Sequence, residues 1–193
     1  MTDFLTNIEH LFTPIDAWGE FRRGARPAAV AFVLFERNGA WKVPFVRRRA
    51  DLPDHPGQVA LPGGGVRAGE TAWGAAQREV AEEIGVPVGR LVPLGAGEPI
   101  YAAVTNFSVV PFLAHLPDPV PAFVHDQHEL EGVIEIPLDR LLDDSAWLVS
   151  GAPWRFRYLA HEESMVWGLT ERIVYGLAPR LREALSGSGH AAG

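Results

Sequence analysis

Gly64 to Val86 reads GGVRAGETAWGAAQREVAEEIGV, a glycine turn opening with Pro62 and Gly63 and running into an amphipathic segment. Thr71 predicts a helix N-cap, because its hydroxyl can accept an unpaired backbone N–H. Gly85 suits the left-handed residue that ends a helix. The helix expected between them, to Ile84, carries Glu79, Glu82 and Glu83 at i, i+3 and i+4, on one face. Like charges at that spacing cost about 0.2–0.5 kcal/mol per pair. Anions at a helix C-terminus oppose its dipole by about 0.3–1 kcal/mol each. The cluster therefore stores about 1–3 kcal/mol that a divalent cation would relieve. Carboxylate ligands select Mg²⁺, Mn²⁺ or Ca²⁺ over Zn²⁺. The competing reading is a solvated acidic face, and the spacing of the neighbouring residues decides between the two.

Gly64, Glu70, Arg78-Glu79, Val80, Glu82-Glu83, Gly85 and Val86 together resemble the Nudix hydrolase signature at every fixed position. The resemblance implies an α/β (α+β) Nudix fold, an αβα sandwich with a mixed β-sheet between helices. It implies cleavage of a diphosphate that links a nucleoside to another group. Mg²⁺ or Mn²⁺ would be held by Glu79, Glu82, Glu83 and the Gly64 carbonyl. Such ions neutralise the diphosphate and acidify a bound water. Arg78 and Glu70 would form an ion pair that orients the loop on the helix. The general base is Glu82, Glu83 or Glu129, and the residues alone do not choose. The alternative of a different class is a nucleotide-binding module without turnover, but such modules usually lose box glutamates and this chain keeps all of them.

Upstream, Val46 to Gly64 resembles the motif preceding the box in coenzyme A pyrophosphatases. Arg48, Gly57, Pro62, Gly63 and Gly64 match in register, and Leu52, His55, Gln58, Val59 and Ala60 sit where those relatives often carry the same residues. Val46 replaces Thr, Arg49 replaces Ser or Ala, Pro53 replaces Arg, and Leu61 replaces Phe. The Arg lost at 53 removes a phosphate-directed contact, for which Arg49 stands nearby. The run Arg47, Arg48, Arg49 ends a strand; strand alternation sends some of it toward the substrate, where guanidinium groups bind phosphate well, and Gln58 joins it as a candidate contact. Coenzyme A or a derivative, giving 3′,5′-ADP and phosphopantetheine, is the first substrate expectation; ADP-ribose, NADH and nucleoside triphosphates are the alternatives. Downstream, Glu129 in ELEGVIEIPL falls in register with a further glutamate that supplies a base or metal ligand in related enzymes, with Glu131 as the fallback.

The rest of the chain frames the box. Residues 1–23 predict a docking helix bearing Phe4, Ile8, Leu11 and Phe12, then a turn. Ala28–Glu36 and Trp41–Arg49 predict strands joined by Asn38-Gly39, a strong hairpin signal; Pro44 argues against a central position for the second. Strands are expected at Leu91–Gly97, Asn106–His115 and Trp154–Ala160. A short helix is expected at Leu138–Leu142, and a longer one from Met165 to Leu185 with Trp167, Ile173, Val174, Leu177 and Leu181 in one stripe, kinked or split at Pro179. Tyr101 and Phe107 either stack on a base or pack at the core rim. Residues 186–193 read as a flexible tail.

At 193 residues the length suits a single domain spanning 1–193. With no cysteine, disulfides and thiolate metal sites are excluded, which fits a cytoplasmic setting. No apolar run reaches a membrane span, and a net charge of −7 argues against a nucleic-acid partner. The expected partner is a small nucleotide substrate, with a homodimer as a candidate assembly. His55, His125, His128 and His161 lack metal-ligand spacing, and no nucleophile elbow is present.

Overall fold

The computed structural model describes residues 2–52 and 57–187. Pro53, His55 and the tail beyond Gly187 lie outside the described residues. The elements are α1 (Thr2–Leu11), β1 (Arg26–Arg37), β2 (Ala40–Arg48), β3 (Val59–Ala60), β4 (Gly63–Gly65) and α2 (Ala72–Ile84). They continue with β5 (Val92–Ala96), β6 (Ile100–Ala102), β7 (Phe107–His115), β8 (Leu130–Pro137) and α3 (Leu138–Leu142). A 3₁₀ turn, Asp144–Ala146, leads into β9 (Trp147–Val149), β10 (Arg157–His161), β11 (Ser164–Trp167) and α4 (Gly168–Gly187).

β1 decides the layering. It runs parallel to β7 and antiparallel to β2 and β4. Successive side chains on a strand face opposite ways, and β1 is apolar on both faces. Ala28, Phe32 and Leu34 enter one core with α1, α3 and α4; Ala29, Ala31, Val33 and Phe35 enter a second core with the inner face of α2. β7 repeats the division, Val109 and Leu113 on one side and Val110, Phe112 and Ala114 on the other. The mixed sheet thus lies between α2 and the α1–α3–α4 layer.

The hairpin forms at Asn38-Gly39, both with positive φ, and registers Arg37 with Ala40. β2 is interior, contrary to the expectation from Pro44. One edge of β2 pairs with β8 from Lys42 to Arg48; the other is shared between β1, up to Lys42, and β3, from Val46. Pro44 falls in the gap between those two partners, where the missing N–H breaks no ladder.

Three other expectations are corrected. Met165–Trp167 is the strand β11, paired with β10, so the last helix starts at Gly168 and Trp167 lies outside its buried stripe. That helix is continuous through Pro179 and includes Ser186 and Gly187, so it does not split and those two residues are helical. Residues 154–156 precede β10, which starts at Arg157. β6 was not anticipated; three half-buried residues carry too little pattern.

Candidate active site

The helix with the three glutamates forms as its caps dictate. Thr71 is extended, and its Oγ1 accepts the Gly74 N–H at 3.0 Å. Gly85 is left-handed at φ 73° and its N–H reaches the Ala81 carbonyl. Ala72, Ala75, Ala76, Val80 and Ile84 are buried, which turns Glu79, Glu82 and Glu83 toward the glycine turn and the loop before β8. Two glycines let that turn come close. A methyl at Gly63 would strike the backbone of Ala29 and Val30, and one at Gly64 would overlap the Glu79 carboxylate.

Arg78 is the clamp. Its Nε and Nη2 donate to both oxygens of Glu70, at 2.9 and 3.1 Å, and Nη2 also reaches the Gly65 carbonyl at 3.0 Å. Nη1 donates to Glu79 at 2.6 Å and Glu82 at 3.0 Å. The Arg78 hydrogen bonds hold the Glu70 carboxyl below its ordinary pKa, and those carboxylates raise that of Arg78. The anticipated Arg78–Glu70 pair is therefore present, fixing the loop to the helix by bidentate geometry.

Glu79, Glu82, Glu83, Glu129 and Asp126 line one cavity of about 160 Å³, with Leu130. Glu83 is the deepest of the box carboxylates, accepting the Gly63 N–H at 3.0 Å. Burial pushes its pKa up to about 8 against that hydrogen bond, and the charges of Glu79 and Glu129 add to the rise. Glu129 reaches this cavity because its carbonyl accepts the Arg49 N–H at 3.1 Å, beside β2. Glu131, the fallback, points elsewhere, with its carboxylate 2.9 Å from Arg47 Nε. Asp126 escaped sequence reasoning. It lies in a loop with no periodicity, where its Oδ1 accepts the His128 N–H and its carbonyl accepts those of Glu129 and Leu130.

Among the described residues no three carboxylates or imidazoles converge as a finished ligand set. The reason is visible: Arg78 holds Glu79 and Glu82, Arg67 also approaches Glu82, and Gly63 holds Glu83. The donor set nevertheless fits a hard divalent cation: five carboxylates on one small cavity, one of them, the half-buried Glu83, with its charge disfavoured.

A NUDIX domain model matches residues 25–157. The chain belongs to the Nudix hydrolase family. An uncharacterized Nudix hydrolase, NudL, from Yersinia enterocolitica is 33% identical over 169 residues, covering 84% of this chain and 85% of that protein. NudL from Escherichia coli is 30% identical, covering 79% and 87%. Among solved structures, a Caenorhabditis elegans Ap4A hydrolase complex aligns at TM-score 0.50 and 25% identity, over 59% of this chain and 81% of that one. A MutT/nudix protein from Enterococcus faecalis, at TM-score 0.53 and 17% identity over 86% and 69%, shares the fold. The αβα sandwich is accordingly the Nudix fold, and the chain is a hydrolase of pyrophosphate bonds in small nucleotides, a family chemistry that uses divalent metal ions. No helix among the described residues is long and apolar enough to cross a membrane.

In this Nudix hydrolase the three arginines diverge. Arg48 Nη1 lies 3.9 Å from Glu129, on the box side of β2, and its positive charge acts on Glu83. Arg47, one residue earlier, faces the other layer, where Nη1 is 3.4 Å from Ser164 Oγ. Arg49 is bound to both oxygens of Asp51, at 2.8 and 2.6 Å, and to the Gln127 carbonyl. It lines a larger cavity of about 470 Å³ with Asp51, His125, Gln127 and Glu131, separated from the box cavity by Leu130. Gln58 is placed through its backbone, whose carbonyl accepts the Arg48 N–H at 3.0 Å. Tyr101 and Phe107 are covered by Arg22 and Arg26, at 4.2 and 4.1 Å from the ring centroids, which is rim packing.

Proposed function

We propose that this chain hydrolyses the diphosphate of a nucleoside diphosphate joined to a second group, with coenzyme A or a derivative as the first substrate. The observation that carries the reading is the cavity lined by the three box glutamates, Glu129 and Asp126. Glu79, Glu82, Glu83 and the Gly64 carbonyl would hold Mg²⁺ or Mn²⁺. Such an ion, when bound, supplies charge neutralisation on the diphosphate and acidifies a coordinated water.

The chain's own residues do the rest. Arg78 keeps Glu79 and Glu82 in register with the glycine turn through Glu70 and Gly65. Glu129, exposed and, among the described residues, held at its carboxylate by the long contact to Arg48, is the carboxylate best placed to take a proton from the attacking water. That water adds to one phosphorus, the bridging P–O bond breaks, and the products are two phosphate monoesters. Arg48, beside Glu129, would offer its guanidinium to a diphosphate oxygen.

The substrate assignment rests on the stretch before the box. Arg48, Gly57 and the Pro62-Gly63-Gly64 turn support it. One observation favours a second reading, ADP-ribose, NADH, a nucleoside triphosphate or a diadenosine polyphosphate. Pro53 replaces the expected Arg, and Arg49 is already neutralised by Asp51, so cations for a 3′-phosphate are fewer. Product release from a panel of these compounds and coenzyme A, with Mg²⁺, Mn²⁺ or chelator, separates the readings. Coenzyme A split to 3′,5′-ADP and phosphopantetheine is expected; a higher kcat/KM for another member would replace it.

A further inference from the structure

Beyond the active site, the β9–β10–β11 sheet has one apolar face too many. Its inner face is the cross-strand row Trp147, Leu159 and Val166, all buried in the core. Register places Leu148, Tyr158 and Trp167 in the corresponding outer row, and Met165 opposite Ala160 on the same side. Phe156 completes the face, with its ring centroid 5.6 Å from that of Trp167 and 6.0 Å from that of Tyr158. Leu148, Phe156, Met165 and Trp167 are 37–47% exposed, and the nearby Trp154 is 79% exposed. A surface strand normally alternates apolar-in with polar-out; here both sides are apolar, and the side facing water is aromatic.

We propose that this outer face is a twofold interface with a second copy of the chain. Large side chains present on the order of 150–250 Å² each, so the five exposed fractions sum to roughly 360–600 Å². That reaches the range of the largest patch on a monomer and is about half to three-quarters of the roughly 800 Å² per partner in a stable interface. The outer strand positions Leu148, Tyr158, Ala160, Met165 and Trp167 carry no formal charge; Arg155 stands exposed between Trp154 and Phe156, and Arg157 is already used by Glu171 and by the Tyr175 ring, 3.7 Å from its guanidinium. An uncharged apolar surface complements itself across a twofold axis, as an isologous contact requires. A bilayer is the weaker occupant, because a chain of net charge −7 is repelled by anionic lipid.

Sedimentation equilibrium of the full chain tests this. The expected mass is twice 21.1 kDa, with Trp167→Lys and Leu148→Lys each weakening the dimer at least tenfold. Val104→Lys, at a fully exposed position outside this sheet, should leave the mass unchanged. A readout on the wild type covers the case of variants that do not fold. Met165 is the sole methionine after Met1, and its oxidation by dilute peroxide should slow at least threefold between protein concentrations that give monomer and dimer. A monomer at all concentrations overturns the proposal. So does a dimer indifferent to both substitutions, or equal oxidation rates. A monomer that sediments with phosphatidylcholine vesicles overturns it in favour of a bilayer surface.

Discussion

Glu83 must carry charge in a place where the fold disfavours it. Its carboxyl titrates near pH 8 in the folded chain, mainly through burial, against an ordinary 4.5. Between those values the folded state keeps a proton that the unfolded state has released, so stability falls as pH rises from about 4.5 to about 8. Glu83→Gln removes that liability. In chelator its melting temperature should exceed the wild type's at pH 8 and converge with it below about pH 4.5. Turnover with metal should fall at least 100-fold, which a product-release assay reads. Arg78→Lys tests the clamp: it keeps the charge but loses the fork on Glu70 and the bond to Gly65. The expected cost is roughly 10²-fold in kcat/KM, with the circular dichroism spectrum of the wild type. At this scale the shared face of Glu79, Glu82 and Glu83 was legible from helical spacing, whereas Gly64, Glu70 and Arg78 were expected only through the resemblance. Glu129 was legible by register. Asp126 was not, since only the path of a loop brings it to the cavity, and the divergence of Arg47 from Arg48 needed the two layers to be known.

At the scale of the element, α2 is held by its ends. Gly85 has φ 73°, and a Cβ there would lie 3.0 Å from the Val124 carbonyl oxygen. Gly85→Ala should therefore destabilise the chain by about 1–2 kcal/mol. Thr71→Ala removes the bond to Gly74 and should cost about 1 kcal/mol. Urea denaturation measures both, and equal midpoints for wild type and variants would refute the capping account. Elements with local signals were readable: the Asn38-Gly39 hairpin, α2 with both caps, and α3. β11 was misread as helix because Met165–Trp167 is too short for its apolar residues to distinguish a period of two from 3.6. Its pairing with β10 decides the matter, through contacts on which the sequence pattern is silent.

For the whole molecule, the αβα layering was expected from the resemblance, and β1, read in the sequence as a strand, proves to be the element that divides the two cores. Which helices cover which face, and that β2 is interior despite Pro44, depended on strand order. The donor set predicts a response of the entire chain to metal. Chelator should abolish turnover while the fold persists, since the two cores do not depend on the site. Returning Mg²⁺ or Mn²⁺ to about 100 times its Kd should restore activity and add about 2.7 kcal/mol of stability, read as a rise in melting temperature. Unchanged melting with and without the ion would argue against those carboxylates as its ligands.

The parallel pairing of β1 with β7 sets an order of events at the ribosome. Arg26 meets Phe107 and Leu34 meets His115, so every residue of the signature is made inside a loop that closes only when β7 emerges. The apolar side of α2 has β1 to lie on at first, while Phe112 and Ala114, its other supports, follow about 30 residues after Ile84. At synthesis rates of about 5–20 residues per second that is a wait of roughly 2–6 s. During it, Ala76, Val80 and Ile84 lack their full cover, and α2 exposes apolar surface that a chaperone would shield. Arrested ribosomes exposing the chain to Pro99 or to Leu116 would report this: protease should cut within α2 in the shorter chain and spare it in the longer.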